Sequence, residues 1–297
     1  MSRIHDALKR AEQERSTSTG THVEPSFDQP EFQPDRVTAV PPGAGMMSNT
    51  GGGLSYESLL ARCPQTEWAP DARTMLFFDN NDSRVGAEEF RTLRSRLYQI
   101  REKIQLKNVM VTSALPKEGK SFVAANLAQV MVRQHGRRVL VIDGDLRNPG
   151  MHRHLGAAQT PGLAEYLLGE CDEIAALQRG PMENLFFMPA GRAAGSAPEL
   201  LSNGRLKILL QRLEPLFDWI IIDTSPVIPV SDSTLVASLC DGILMVVRSN
   251  VTPSDMARRA REEFPDKLLL GVVLNGTQSG AVARSKYYYG EAVSSKV

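Results

Sequence analysis

The sequence has few cysteines and no excess of charge of either sign. Its 297 residues include 3 cysteines, which are widely spaced and form no C-x-x-C pair. This excludes a disulfide framework and favours free thiols in a reducing compartment. Lysine and arginine together number 34, as do aspartate and glutamate, so the formal net charge is zero. A neutral chain has no general attraction for nucleic acid or anionic lipid, and we predict no nucleic-acid partner.

The chain also lacks a hydrophobic run long enough to cross a membrane. The longest apolar stretches lie at residues 243–247 and 268–274, and both are far shorter than the about 18 residues that a span requires. The first residues show no signal-peptide pattern. We therefore predict a cytoplasmic protein without a transmembrane segment of its own, which reaches the inner face of the plasma membrane only if a partner recruits it.

Composition divides the chain into four segments. Residues 1–15 have apolar positions at helical spacing, which predicts a short amphipathic helix, either an exposed arm or an element that binds a membrane or a partner. Residues 16–81 are rich in serine, threonine, glycine and proline, which predicts a disordered or regulatory linker with at most a turn or two of helix at 56–61. Residues 82–283 predict an α/β domain, and residues 284–297 a flexible tail that carries tyrosines.

Strand and helix patterns alternate through the predicted domain. Continuous apolar runs at 109–112, 138–142, 219–222 and 242–247 are typical of buried parallel strands, and helical patterns separate them. A short strand is predicted at 184–188 and the last strand at 268–274. This alternation predicts an α/β fold with a mostly parallel sheet flanked by helices.

A phosphate-binding loop is predicted directly after the first strand. The sequence there matches G-x-x-x-x-G-K-[ST] except that Ala114 replaces the first glycine. In this pattern backbone N–H groups surround an anion, Lys120 reaches the β- and γ-phosphates, and the Ser121 hydroxyl can bind Mg²⁺. Gly119 allows the backbone to approach the phosphate closely. The candidate nucleotide-binding residues of the loop are Ala114, Pro116, Lys117, Glu118, Gly119, Lys120, Ser121 and Phe122.

Three aspartates follow two of the predicted strands. Asp143 ends one strand, Asp145 lies two residues on, and Asp223 ends another. Because ligands of α/β sheets bind outside the carboxyl ends of the strands, we expect these carboxylates to converge on the loop. There they can bind Mg²⁺ or accept a proton from a nucleophile, although a single aspartate at a strand end is commonly only a cap or turn residue. Asn275, after the last predicted strand, is interpreted either as a contact for a purine edge or as a turn residue before glycine.

A helix predicted at residues 86–103 carries a row of charges on its polar side. Glu88, Arg91 and Arg94 recur every three residues as E-x-x-R-x-x-R. Such a row either pairs within the helix on a solvated face or meets another subunit.

These motifs together resemble the bacterial tyrosine kinases (BY-kinases) of capsule and exopolysaccharide synthesis, over residues 84–290. The matching segments are the loop at 114–121, D-G-D-L-R-N-P at 143–149 and I-I-I-D-T-S-P at 220–226, which resemble the family's Walker A, A′ and B motifs. The resemblance implies a P-loop NTPase fold of the deviant Walker, MinD/ParA-like type and a protein-tyrosine kinase that uses ATP and Mg²⁺. It implies Lys120, Asp143 and Asp145 as catalytic residues, with Asp143 as the base, and Ser121, Asp143 and Asp223 as metal ligands.

The resemblance also implies substrates and partners. The K-Y-Y-Y-G segment matches the family's C-terminal cluster, which implies autophosphorylation in trans at Tyr287, Tyr288 and Tyr289, although many relatives have more tyrosines there. The E-x-x-R-x-x-R row implies a ring of subunits. Because relatives either carry a fused membrane half or pair with a separate one, this sequence implies a separate membrane chain-length regulator (a polysaccharide copolymerase) as activator.

The main alternative is a ParA/MinD-like ATPase that positions cargo. Those proteins usually have a second lysine early in the loop, where this chain has Leu115, and they lack a tyrosine tail. Both differences favour the kinase. A third possibility is a nucleotide-binding scaffold with little turnover.

Overall fold

The computed structural model describes residues 54–63, 65–78, 84–192 and 195–277. All of them belong to a unit spanning Gly52–Val297. The predicted helix at 1–15 and the tail at 284–297, with its three tyrosines, lie outside the described residues and stay predictions.

Seven strands of the described residues form one sheet in the order β3-β4-β2-β5-β1-β6-β7. In chain order they are β1 (Asn108–Ser113), β2 (Val139–Asp143), β3 (Gln178–Arg179), β4 (Leu185–Met188), β5 (Trp219–Asp223), β6 (Gly242–Arg248) and β7 (Leu269–Asn275). Neighbouring strands are parallel except that β3 runs antiparallel to β4 at the edge. The mostly parallel α/β fold predicted from the sequence is confirmed.

Helices cover both faces of this sheet. They are α1 (Tyr56–Arg62), α2 (Ala87–Arg101), α3 (Lys120–Val132), α4 (Met151–Leu155), α5 (Leu163–Leu168), α6 (Ala197–Ser202), α7 (Arg205–Leu213), α8 (Asp232–Ala237) and α9 (Ser254–Glu262), with a 3₁₀ turn at Glu214–Leu216. In the part of the chain that the structure describes, every helix is too short or too polar to span a bilayer.

Two apolar cores form because side chains along each strand alternate between the faces of the sheet. Met110 and Ile220 belong to one core, which α5 to α9 cover. Val109 and Ile221 belong to the other, together with α2 and α3. A central strand covered on both faces has no polar side, which explains why these strands appear in the sequence as continuous apolar runs.

The N-terminal strap, which we define as residues 65–78, lies on the face that carries α3. Met75 and Phe77 in the strap are each 1% exposed. Two buried amides on α3 bind the strap's backbone: Asn126 accepts from Leu76 N at 2.8 Å, and Gln129 accepts from Phe77 N at 3.2 Å. Burial of two such side chains stabilises the fold by roughly 3–6 kcal/mol.

The strap also contacts α4. Asp71 N donates to the carbonyl of His154 at 3.0 Å, and Ala69 N donates to the carbonyl of Gly156 at 3.1 Å. The His154 ring adds a hydrogen bond to Thr74 Oγ1 at 3.2 Å. The strap therefore connects the helix after the phosphate-binding loop with the helix after the D-G-D-L-R-N-P motif.

The strap and α1 are ordered segments within the region predicted as a linker. The sequence predicted a largely structureless segment to residue 81, whereas residues 56–62 form a helix with a Ser55 capping box and Leu59 is fully buried. For residues 54–63 and 65–78 the prediction was wrong, because the low-complexity composition hid a few large apolar side chains that bury against the domain. The turn or two of helix expected at 56–61 is confirmed.

Candidate active site

The loop between β1 and α3 adopts the shape that a phosphate site needs. Lys117 has φ +66° and Gly119 has φ +96°, so the backbone turns twice through the left-handed region before α3 begins at Lys120. A Cβ atom on Gly119 would lie 2.0 Å from Asn275 Nδ2. Glycine is therefore required here for two reasons, its backbone angle and the close approach of Asn275.

The strand register brings the predicted carboxylates to this loop. Asp143 at the end of β2 lies beside Asp223 at the end of β5, and β5 pairs in turn with β1, which leads into the loop. All three aspartates are buried: Asp143 and Asp223 are 0% exposed and Asp145 is 3% exposed. The convergence predicted from the ends of the strands is confirmed.

Lys120 is the cation at the centre of this cluster. Its Nζ donates to Asp145 Oδ2 at 2.7 Å, and it lies 3.9 Å from Asp223 Oδ2 and 3.4 Å from Ser121 Oγ. Burial disfavours the charged lysine, but the surrounding carboxylates outweigh it and raise the pKa of Lys120. Lys120 is therefore positively charged at neutral pH.

Backbone N–H groups hold Asp143. Its Oδ2 accepts from Gly150 N at 3.2 Å and from Met151 N at 3.1 Å, at the start of α4. Its Oδ1 accepts from Asp145 N at 3.3 Å. Burial and the neighbouring Asp223 charge raise the pKa of Asp143, although the hydrogen bond from Met151 N and the charge of Lys120 oppose the rise.

Asp223 has far fewer partners. Among the described residues, neither of its carboxylate oxygens has a hydrogen bond of normal geometry, although both are buried. Burial raises the pKa of Asp223, while Lys120 and the nearby Ser121 hydroxyl lower it in part. Burying a carboxylate whose oxygens accept no hydrogen bond lowers the stability of the fold unless a ligand supplies a partner.

The donor set at Asp223 fits Mg²⁺ better than a metal held by protein alone. No cluster of three or more His, Cys, Asp or Glu side chains within the described ranges forms a metal cage. Mg²⁺ needs few protein ligands, because water and phosphate oxygens complete its octahedron. The unpartnered oxygens of Asp223, with Ser121 and Asp143 nearby, suit that arrangement.

The other residues predicted to contact the nucleotide are placed as follows. Phe122 packs edge-on against Phe90 with ring centroids 5.8 Å apart. Asn275 donates from Nδ2 to the carbonyl of Glu118 at 2.8 Å and accepts from Gly276 N at 2.9 Å. Ala114 is fully buried, whereas Pro116 and Lys117 are exposed. Asn275 thus contacts the loop and forms the turn before glycine, and its contact with a purine edge stays a prediction.

The charge row on α2 has contacts within the chain. Arg91 Nη1 lies 3.0 Å from Glu88 Oε2, and 68% of the Glu88 side chain is exposed. Arg94 Nη1 donates to the carbonyl of Val130 at 3.0 Å, near the C-terminal end of α3. A role of the row in oligomerisation stays a prediction, and Arg94 has in addition a structural contact that the spacing did not indicate.

Sequence reasoning missed two features of the site. Helix α4, whose first N–H groups bind Asp143, is only five residues long and shows no apolar period. Arg147 forms a bidentate ion pair with Asp232, from Nε to Oδ2 at 2.5 Å and from Nη2 to Oδ1 at 3.1 Å. The D-G-D-L-R-N-P motif contained Arg147, but its partner lies on α8, 85 residues away.

Comparison with known proteins identifies the family. The tyrosine-protein kinase YwqD of Bacillus subtilis (strain 168) is 34% identical over 206 residues, which are 69% of this chain and 86% of that protein. This chain belongs to the bacterial tyrosine kinases. No protein-family model matches the chain. The kinase domain of the Escherichia coli tyrosine kinase ETK superposes with a TM-score of 0.64 at 28% identity and covers 72% of this BY-kinase and 82% of that domain.

Some relatives of this BY-kinase are much longer. The succinoglycan biosynthesis transport protein ExoP of Rhizobium meliloti (strain 1021) is 34% identical over 203 residues, 67% of this chain but only 26% of that protein. The BY-kinase therefore spans about a quarter of that relative's length and most of YwqD. The positioning-ATPase alternative is not favoured, because the relatives with substantial identity include a named tyrosine kinase and a tyrosine kinase domain.

Proposed function

We propose that this BY-kinase is an ATP-dependent protein-tyrosine autokinase that phosphorylates Tyr287, Tyr288 and Tyr289 in trans. Through this modification it regulates the polymerisation and export of an exopolysaccharide or capsule. The observation that supports the proposal most directly is the meeting of Lys120 with three buried carboxylates beside a phosphate-binding loop.

The loop and α3 bind the triphosphate of ATP in this proposal. Backbone N–H groups between Lys117 and Ser121 surround the phosphates, and the first turn of α3 adds the positive end of its dipole. Lys120 contributes its charge to the β- and γ-phosphates, for which it exchanges part of its contact with Asp145. Transfer of the γ-phosphoryl group depends mainly on such positioning and charge stabilisation.

The residues present fit Mg²⁺, which ATP brings with it. Ser121 and Asp223 would hold the ion, with Asp143 nearby, since both Asp223 oxygens lack partners among the described residues. When bound, the ion neutralises charge that develops on the phosphate oxygens. Asp223 then has the electrostatic partner that its burial requires.

Asp143 acts as the base. A tyrosine hydroxyl loses its proton to Asp143 while its oxygen bonds to the γ-phosphorus, and ADP leaves with the bridging oxygen. Burial and the Asp223 charge raise the pKa of Asp143 toward neutrality, which brings the carboxylate closer to the range in which proton acceptance is efficient. The N–H groups of Gly150 and Met151 fix its orientation.

Two partners belong to the proposal. A second copy of the chain supplies the tyrosines, and the row Glu88, Arg91 and Arg94 contributes to a ring of such copies. A separate membrane protein that regulates polysaccharide chain length acts as activator and recruits the kinase to the inner face of the plasma membrane.

Mass spectrometry of the C-terminal peptide tests this function. The purified protein is incubated with ATP and Mg²⁺, with and without the cytoplasmic tail of its membrane partner. We expect phosphate on Tyr287, Tyr288 or Tyr289, with more in the presence of the tail. ATP hydrolysis without phosphate on these residues under both conditions would leave an ATPase and contradict the kinase function.

A further inference from the structure

The side chain of Glu118 in the nucleotide loop is buried, and the proposed function gives its carboxylate no role. It is 2% exposed. Its Oε2 accepts a hydrogen bond from Leu115 N at 2.6 Å, which closes the loop on itself. A carboxylate beside a phosphate site would repel the ligand unless hydrogen bonds to other groups compensate its negative charge.

The other carboxylate oxygen of Glu118 is used by the β6–α9 turn, which we define as residues 248–252. Oε1 accepts from the Thr252 hydroxyl and, at 3.4 Å, from Arg248 N. Arg248 N also donates to Thr252 Oγ1 at 3.2 Å, so Thr252 is itself held in place. The carboxylate therefore joins the loop to a second segment rather than facing the phosphate.

Two more contacts reinforce the same connection. Arg248 Nη1 donates to the carbonyl of Lys117 at 3.2 Å, and Asn275 Nδ2 donates to the carbonyl of Glu118 at 2.8 Å. Lys117 is a non-glycine residue at φ +66°, a conformation that persists only where its surroundings impose it. These contacts supply that constraint from outside the loop.

We propose that Glu118, through Thr252, is a positioning residue that holds the nucleotide loop in its binding conformation and thereby sets the affinity for ATP. Without this connection the loop must be ordered by the nucleotide itself, which lowers affinity because ordering opposes binding. The inference rests on the proposed function, since it concerns the same ATP site. It assigns no contact between Glu118 and the nucleotide.

Nucleotide titration of four variants tests the inference, with Mg²⁺ and a fluorescent N-methylanthraniloyl ATP as the probe. We expect Glu118→Ala to raise Kd about tenfold, as loss of charge-assisted hydrogen bonds implies. Glu118→Gln should raise it less, because the amide still accepts from Leu115 N. Thr252→Val should raise Kd about threefold, and the double variant Glu118→Ala with Thr252→Val should not exceed Glu118→Ala alone, because both act through one connection.

These substitutions should change the affinity for the nucleotide and not only the stability of the fold. At saturating ATP the rate of phosphotyrosine formation by Thr252→Val should stay within about twofold of the wild type, so that the change lies in affinity. Glu173→Gln is the matched control: Glu173 is also buried, at 5% exposed, and pairs with Arg212 at 2.6 Å on the far side of the sheet from α3. It should lower the melting temperature without changing Kd.

Distinct results separate this inference from the proposed function. If the wild type does not bind the probe, the ATP site and the inference both fail. If the wild type binds and both Glu118→Ala and Thr252→Val bind equally well, only the inference fails. Should Glu118→Ala not fold, the Kd of Thr252→Val tests the inference by itself: an unchanged Kd contradicts it. A raised Kd that Thr252→Ser restores to the wild-type value supports it.

Discussion

Replacing Asp223 by asparagine should make the nucleotide-free protein more stable, although Asp223 lies in the candidate active site. Neither oxygen of this fully buried carboxylate has a hydrogen bond of normal geometry among the described residues, and Lys120 Nζ lies 3.9 Å from its Oδ2. A buried polar group without partners costs about 1–3 kcal/mol, and more when it is charged. Asparagine has the same shape without the charge. Lys120 keeps its contact with Asp145 at 2.7 Å.

We expect Asp223→Asn to raise the free energy of unfolding by about 2 kcal/mol at pH 8, equivalent to an increase of about 4–8 °C in melting temperature for a domain of this size. The gain should shrink as the pH falls. The folded-state pKa of Asp223 lies above its unfolded value, so the wild type binds a proton more readily when folded and regains stability at low pH. Thermal unfolding without nucleotide, from pH 5 to pH 8, measures this difference.

Asp241 provides the matched control. Its Oδ2 accepts from Lys107 N at 2.7 Å and from Asn108 N at 2.8 Å, so two backbone hydrogen bonds compensate its charge. Asp241→Asn should therefore lower stability at pH 8, opposite in sign to Asp223→Asn. If Asp223→Asn instead lowers the melting temperature by several degrees at every pH, the carboxylate has an internal partner, which would contradict the argument that Asp223 binds the metal ion.

Three further predictions concern other residues. Lys120→Met should abolish phosphorylation of the C-terminal peptide while the circular dichroism spectrum stays unchanged; undiminished labelling would place the active site elsewhere. Glu88→Ala with Arg91→Ala should reduce the oligomer mass in light scattering, whereas an unchanged mass would make that row a solvated helix face. Asn126→Ala should lower the free energy of unfolding by about 2–3 kcal/mol in urea denaturation, because it leaves Leu76 N without its acceptor; a change below 0.5 kcal/mol would mean that water replaces the amide.

The sheet could be predicted because its central strands are buried on both faces. Residues such as Val109, Ile142 and Ile221 form continuous apolar runs, and helical patterns lie between them. The edge strand β3 could not be predicted, since its two residues are half-buried and owe their pairing to β4. The strap was missed for a related reason: its stability comes from contacts with α3, which have no local signature.

The candidate site, like the fold, could be predicted from the sequence only in part. Lys120, Asp143 and Asp223 were found because the loop motif and the ends of the strands are local patterns, and parallel topology brings them together. The N–H donors at the start of α4 and the Arg147–Asp232 pair could not be found. Those contacts join segments whose spacing in the chain gives no indication of their distance in space.

The strap also affects how natural variation in this kinase should be interpreted. It binds α3, whose first residue is Lys120, and α4, whose first N–H groups hold Asp143. A substitution at Met75 can therefore shift two parts of the candidate active site relative to each other while every residue proposed as catalytic is intact. In a survey of isolates, inactive alleles are then expected to include changes in residues 65–78, and a scan restricted to the nucleotide motifs would class them as harmless.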